Sequence, residues 1–172
     1  ATDLLTLPTE RSKLLLKNSI SPLPLHKTLV LIETLHELSD ERFSASEQLA
    51  LAKALVSGIG NLTFGPEVGV GSPKADAPVV EFWLHCVRRM IPDLKSLKPL
   101  ASTPALVMTG DSRQITSLLE PNSIDAVITS PPYPNEKDYT RTTRLETILL
   151  GLINNKHELR LLKKNLLRSN TR

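Results

Sequence analysis

Cysteine, aromatic side chains and long apolar runs are all scarce in this sequence of 172 residues. The single cysteine, Cys86, excludes an internal disulfide and a zinc site built from cysteines. Aromatic residues make up only 3% of the chain. No apolar run approaches the ~18 residues that a membrane-spanning helix needs, and no signal-peptide pattern opens the chain. These absences predict a soluble protein of the cytoplasm.

The residues that are present favour one folded domain. Hydrophobic residues make up 40% of the chain and charged residues 23%, which is typical of a protein with a packed core. The first residue is Ala1 rather than Met, which predicts processing or excision from a longer protein. The four histidines (His26, His36, His85 and His157) have no metal-ligand spacing, so no metal site is predicted.

Positive charge is concentrated at the carboxyl-terminal end. Residues 137–172 hold nine Lys or Arg against three acids, a net charge of +6, whereas residues 1–136 hold twelve against fifteen, a net charge of −3. A basic segment on a near-neutral body is the electrostatic pattern expected of a protein that contacts a phosphate backbone. A solvated helix face is the alternative explanation of the same charges.

Helical patterns dominate the first hundred residues. Ser21 and Pro22 form a helix start signal, and apolar residues then recur on one face to about Leu38. Ser44 and Glu47 have the spacing of a capping box, which predicts that a second helix begins there.

Glycines and prolines set the later boundaries. Gly60 is expected to end the second helix, and residues 61–76 read as a loop, with the glycine-rich stretch 64–71 as a flexible segment near the active site. A long helix is predicted from about residue 76, and Pro92 should kink it or end it.

The pattern changes after Pro99. Residues 105–108 and 124–129 read as buried strands, with a short helix over 113–119 between them. Strand, helix and strand at this spacing over residues 104–130 predict a βαβ unit of an α/β sheet. Ligands of such sheets bind at the carboxyl ends of the strands, where Asp111 and Ser130 fall. From residue 138 onward the pattern is helical, with a break near 154–155.

The segment Thr129-Ser130-Pro131-Pro132-Tyr133 follows the second predicted strand. Together with Gly110-Asp111 upstream, it resembles the S-adenosylmethionine-dependent amino-methyltransferases of nucleic acids, in which a (Asp/Asn/Ser)-Pro-Pro-(Tyr/Phe/Trp) loop ends a central strand. A plain proline-rich loop or a polyproline ligand is the alternative for the tetrapeptide by itself.

The resemblance implies catalytic roles for Ser130, Pro131, Pro132 and Tyr133. An exocyclic amino nitrogen is a poor nucleophile because its lone pair is delocalised into the base. Acceptors at the Ser130 side chain and the Pro131 carbonyl would bind its hydrogens and free that lone pair, and the proline rings would hold the carbonyl in position. Tyr133 would stack on a base flipped out of the duplex. Serine at the first position is commonest among cytosine-N4 enzymes, although the same loop serves adenine-N6 and some guanine-N2 enzymes.

The resemblance also implies contacts to the cofactor and to DNA. Asp111 stands where the family places an acceptor for the adenine amino group of S-adenosylmethionine; a helix N-cap is its other possible role. Ser19 stands where the family commonly has an acid that binds the cofactor ribose. Lys137, Arg141 and Arg144 are candidates for DNA phosphate contact, with ion pairing to a neighbouring acid as the alternative.

The fold implied by the resemblance is a partial Rossmann-like methyltransferase sheet with a mostly helical amino-terminal part. The predicted division is a helical region 1–99, a methyltransferase core 100–153 and a basic helical tail 154–172. The family's glycine-rich cofactor loop has no counterpart before Ser21, so the chain is expected to be a fragment that is inactive or very weak alone, with an exposed sheet edge that favours self-association.

The predicted function is therefore DNA methylation at cytosine N4, as in restriction-modification systems. Adenine-N6 methylation, a non-catalytic nucleic-acid-binding fragment and an RNA methyltransferase are the alternatives.

Overall fold

The structure is a computed structural model that describes residues 3–65, 67–130 and 139–166. It mixes helices with a two-stranded sheet, which is compatible with an α/β class. The helices are α1 (Thr9–Ser12), α2 (Pro22–Glu37), α3 (Ser44–Ala54), α4 (Val79–Leu97), α5 (Tyr139–Thr142), α6 (Arg144–Leu149) and α7 (Lys156–Asn165). The strands are β1 (Leu62–Phe64) and β2 (Val68–Val70), and two 3₁₀ helices cover Lys98–Leu100 and Ser112–Ser117.

The core is built by α3, the turn that follows it, and α6. The helix α3 passes directly into a π-helical turn, Leu55–Ile59, and α6 lies against this turn. Side chains of α2, α4 and the amino-terminal segment complete the cluster. Its buried members are Leu7, Leu14, Leu31, Leu51, Ala54, Leu55, Ile59, Val79, Leu145, Ile148, Leu149, Ile153 and Leu159.

The start of α2 is confirmed, but Ser21 acts differently from the expected cap. Ser21 occupies the N-cap position with extended backbone angles, and Pro22 is the first helical residue. The Ser21 hydroxyl caps no helical amide; instead it accepts a hydrogen bond of 3.1 Å from Asn61 Nδ2. The local sequence therefore sets where the helix begins, whereas the Ser21 side chain hydrogen-bonds to Asn61, which is distant in the chain.

The predicted capping box at the start of α3 is wrong. Ser44 is the first residue of the helix rather than its N-cap, and no side chain caps this end. The amides of Phe43 and Ser44 both donate to the Asp40 carbonyl at 2.9 Å, so a preceding turn brings the chain into the helix. Because Ser44 already lies inside the helix, its hydroxyl is not in the cap position.

The segment predicted as a loop over 61–76 contains a β-hairpin. β1 pairs antiparallel with β2, with Leu62 opposite Val70 and Phe64 opposite Val68. The base of the hairpin is closed by the Gly71 amide, which donates to the Asn61 carbonyl at 2.7 Å. Alternation of apolar and polar residues is short here, which explains why the sequence pattern did not indicate strands.

The helix α4 runs through Pro92 to Leu97, so Pro92 does not end it. Its first half packs on α3, where Trp83 Nε1 donates to the Glu47 carbonyl at 3.1 Å. Its second half, from Ile91 onward, is exposed. The long helix was predicted correctly, and the structure limits its core contact to the half before the proline.

The strands expected at 105–108 and 124–129 are not formed. Both segments lack regular secondary structure, and Val107 and Ile128 are 95% and 100% exposed. A strand needs a neighbouring strand for its backbone amides and carbonyls, and within the described residues β1 and β2 pair only with each other. These two segments therefore have no described strand to pair with. Of the βαβ unit predicted over 104–130, only the connecting helix is formed, as the 3₁₀ helix Ser112–Ser117.

Candidate functional site

Ser130 is the last described residue before Pro131 and follows an exposed segment without regular secondary structure. The remaining predicted catalytic residues, Pro131, Pro132 and Tyr133, lie outside the described residues, as does Lys137. Ser130 is itself exposed, so its hydroxyl is accessible to a molecule from solvent. The catalytic roles of this loop remain predictions from the sequence.

Asp111 has the expected capping role. Its carboxylate accepts from the Arg113 amide at 2.9 Å and so caps the 3₁₀ helix Ser112–Ser117. The Arg113 guanidinium also donates hydrogen bonds to both carboxylate oxygens, from Nε to Oδ1 at 2.9 Å and from Nη2 to Oδ2 at 2.5 Å. These side-chain and backbone hydrogen bonds from Arg113 lower the pKa of Asp111 from 3.8 to about 2. Asp111 is therefore an ionised acceptor at neutral pH.

Replacing Arg113 by glutamine is expected to raise the pKa of Asp111 back toward 3.8. Because the folded pKa lies below the unfolded one, the pairing contributes stability above about pH 4, and this contribution is lost as pH falls toward 2. The carboxyl-carbon chemical shift of Asp111, followed by NMR between pH 1.5 and 6, measures the pKa directly. Asp125, in the same part of the chain, is the internal control, and an unchanged Asp111 titration in the variant would contradict the pairing.

Ser19 lies in a buried polar group with Ser21 and Asn61. Only 2% of its surface is exposed, and its hydroxyl is buried without a hydrogen-bond partner within the described residues. Its carbonyl accepts from the Asn61 amide at 2.7 Å. Ser19 also lines a cavity of about 430 Å³ between the segment 12–20 and Leu25. A buried hydroxyl of this kind has unused hydrogen-bonding capacity for a ligand.

Asn61 organises this group, and the sequence analysis did not single it out. Asn61 Nδ2 donates to the Asn18 carbonyl at 2.9 Å as well as to Ser21, and its Oδ1 accepts from the Lys74 amide at 3.2 Å. Lys74 Nζ in turn donates to the carbonyls of Gly58 and Gly60. One side chain thus ties the start of α2 to both ends of the hairpin. An asparagine directly after the helix-ending Gly60 was the available signal.

Gly60 brings the chain close enough for these contacts. A Cβ at this position would lie 2.6 Å from Leu145 Cδ2 and 2.9 Å from the Leu55 carbonyl oxygen, so any side chain would displace α6 or the π-helical turn. The Ser19 carbonyl lies 3.2 Å from the same point. Gly60 therefore holds Ser19 beside α6.

The side chains of Arg141 and Arg144 differ in exposure and in how strongly hydrogen bonds hold them. Arg144 is half-buried and donates to the carbonyls of Thr140 at 2.7 Å and Leu14 at 3.2 Å, which links α6 to the amino-terminal segment. Arg141 is exposed and makes a long hydrogen bond of 3.5 Å to the Val68 carbonyl. Arg141 is thus available to a phosphate, whereas the guanidinium of Arg144 holds backbone carbonyls together.

Glu146, one suggested ion-pair partner for these arginines, is partly buried in α6. Its Oε2 is buried without a hydrogen-bond partner in the described part of the chain. This burial raises the pKa of the Glu146 carboxyl above its ordinary value. The three ion pairs found among the described residues are Lys27–Asp76, Arg42–Asp40 and Arg113–Asp111.

The structure thus places Ser19 close to Leu145 of α6, the helix that Arg144 begins. Among residues 3–65, 67–130 and 139–166, Asp111 and Ser130 form no hydrogen bond or ion pair with each other or with Ser19, Arg141 or Arg144. The same residues contain no cluster of histidines, cysteines or acids able to hold a metal ion. No helix among them is long and apolar enough to span a membrane.

Comparison with known proteins finds one informative similarity. The chain is 56% identical over 84 residues to the Type II methyltransferase M.BsoBI of Geobacillus stearothermophilus, a match that takes in 46% of this chain and 16% of that protein. The chain thus spans about a sixth of the length of the relative it matches. No family model and no solved structure matches the chain. The similarity supports the DNA methyltransferase family that the sequence resembles.

Proposed function

We propose that this chain is part of a DNA methyltransferase that transfers a methyl group from S-adenosylmethionine to the N4 amino group of cytosine. The observation that carries the proposal is the 56% identity over 84 residues to a Type II methyltransferase. The Ser130-Pro131-Pro132-Tyr133 motif agrees with it. Since the match takes in 16% of the relative, the proposal applies to a larger protein, of which these residues are the base-binding part.

The proposed chemistry begins with the amino group of the target base. The Ser130 hydroxyl oxygen and the Pro131 carbonyl accept hydrogen bonds from its two N–H groups. These bonds orient the nitrogen lone pair away from the ring. Tyr133 stacks on the flipped base and holds it in place. These acceptors act where charge develops on the amino nitrogen, so they stabilise the transition state more than the bound substrate.

The described residues offer groups of the right chemistry for S-adenosylmethionine. Asp111, with a pKa of about 2, is an ionised acceptor for an amino group, and the buried Ser19 hydroxyl has no partner among the described residues and can bond a ribose hydroxyl. The cofactor, when bound, supplies an electrophilic methyl group. Asp111 and Ser19 would serve only to bind and orient it.

The proposed fold of the larger protein is a Rossmann-like sheet that includes residues 105–108 and 124–129. The exposure of Val107 and Ile128 supports this proposal, because exposed β-branched apolar side chains favour burial in a sheet. In such a sheet the carboxyl ends of neighbouring parallel strands meet at one edge, and Asp111 and Ser130 would approach each other there.

The alternative function is a non-catalytic nucleic-acid-binding fragment. The unformed strands favour it for the isolated chain, because a catalytic edge requires the sheet. Calorimetry with S-adenosylmethionine separates the two functions: measurable binding by the 172-residue chain would contradict a purely accessory role.

The product of the complete protein tests the proposed function. Expressed in a host without DNA methylation, it is expected to place N4-methylcytosine in host DNA, detected by mass spectrometry of the digested nucleosides. The Ser130→Ala protein, expressed at the same level, is the matched control. N6-methyladenine in place of N4-methylcytosine would contradict the proposed target base. The absence of both methylated bases would contradict the proposed methyltransferase function.

A further inference from the structure

The helix α7 carries a continuous basic face. Lys156, Arg160, Lys163 and Lys164 are its four basic residues, and at 100° per residue all four fall within an arc of about 100°. The neighbouring arc contains Leu159, Leu162 and Leu166, of which Leu159 is buried against the body of the protein. The basic arc therefore faces away from the core along most of the helix.

Three of the four basic residues on this face have no neutralising partner in the described part of the chain. Lys156, Arg160 and Lys164 are exposed, and none of them forms an ion pair or side-chain hydrogen bond within the described part of the chain. The one acid of α7, Glu158, caps the helix start instead, accepting from the Asn154 amide at 2.8 Å and from Asn155 Nδ2 at 2.6 Å. The positive charge of Lys156, Arg160 and Lys164 is thus left for an external partner.

The position of α7 connects this charge to the proposed base-binding loop. α7 packs against α5, which carries the exposed Arg141 and begins at Tyr139. The helix α5 is the first described element after the loop that Ser130 opens. α7 thus packs on the helix that follows the proposed base-binding motif in the chain.

We propose that Lys156, Arg160 and Lys164 on the basic face of α7 bind the phosphate backbone of duplex DNA. The inference rests on the proposed function, since it takes DNA as the partner. From Lys156 to Lys164 the helix rises about 12 Å, which matches about three to four successive phosphates of one strand. Flexible cationic side chains at this spacing provide sequence-independent attraction, and base choice stays with the loop.

The test compares two triple variants of the full 172-residue chain. The first replaces Lys156, Arg160 and Lys164 by glutamine. The matched control replaces Arg89, Lys95 and Lys98, which are exposed on and just after α4, and changes the net charge equally. Fluorescence anisotropy with a 20-base-pair duplex, measured at several salt concentrations, gives the affinity and its salt dependence for each protein.

The first variant is expected to reduce the slope of log K against log salt by about three and to weaken binding at 0.1 M salt roughly a hundredfold, because three counterion-releasing contacts are lost. The control should keep the wild-type slope. Circular dichroism confirms that both variants retain their helices. Equal slopes for all three proteins would overturn the proposal, and so would tighter binding to an RNA duplex of the same sequence.

The outcome is separable from that of the proposed function. A reduced salt slope in the first variant, together with no methylated base from the complete protein, would support the DNA-binding surface and contradict the methyltransferase function. Methylation with an unchanged slope would leave the function standing and overturn the role of α7.

Discussion

Replacing Ser130 by alanine in the complete protein is expected to lower the turnover of methyl transfer roughly 100- to 1,000-fold. The hydroxyl oxygen is one of two acceptors assigned to the amino hydrogens, and removal of one such preorganised group has an effect of that size in other enzymes. Substrate affinity should change little, since the interaction gains its strength in the transition state. Single-turnover transfer of labelled methyl groups to duplex DNA measures the rate.

Two further variants show whether the acceptor itself matters. Ser130→Asn retains a side-chain oxygen and should recover part of the rate, whereas Ser102→Ala, at an exposed serine outside the loop, should leave it unchanged. Tyr133→Phe keeps the stacking ring and should remain close to wild type, while Tyr133→Ala loses the ring and should bind DNA with a flipped base less well. Wild-type turnover in Ser130→Ala would make the assigned role wrong.

Replacing Leu51 by alanine is expected to destabilise the fold by about 3 kcal/mol, the second large effect. Leu51 is 1% exposed in the cluster that joins α3, the π-helical turn and α6, so truncation removes buried apolar contacts and leaves a cavity. The free energy of unfolding from urea titration, followed by far-UV circular dichroism, measures the loss.

Leu49 provides the matched control on the same helix. It is 62% exposed, and Leu49→Ala should change the free energy of unfolding by less than about 0.5 kcal/mol, because alanine is also a good helix former. Similar losses for the two variants would contradict the packing of α3 described above.

The helices were the most predictable part of the fold. Ser21-Pro22 predicted the start of α2 to the residue, and the apolar periodicity predicted α4, because a helix satisfies its backbone within its own segment. The capping box at Ser44 was wrong by one position, since the turn at Asp40 rather than the local motif determines where α3 begins.

The candidate site was predictable in its residue types and less so in its arrangement. Asp111 has the capping role that the sequence allowed, and its pairing with Arg113 two residues later could have been inferred from the spacing. The anchoring of Arg144 to Leu14 and Thr140 could not, because Leu14 is distant in the chain and its carbonyl carries no sequence signature.

The sequence by itself determined the start of α2, the concentration of positive charge after residue 137 and the Ser130-Pro131-Pro132-Tyr133 motif, all of which depend on neighbouring residues. Only the tertiary structure decided that Asn61 bonds Asn18 and Ser21, that β1 pairs with β2 and that residues 105–108 and 124–129 stay unpaired. The physical reason is the range of the hydrogen bonds. A helix closes its bonds four residues away, whereas a strand or a buried amide depends on partners that only the folded chain brings near.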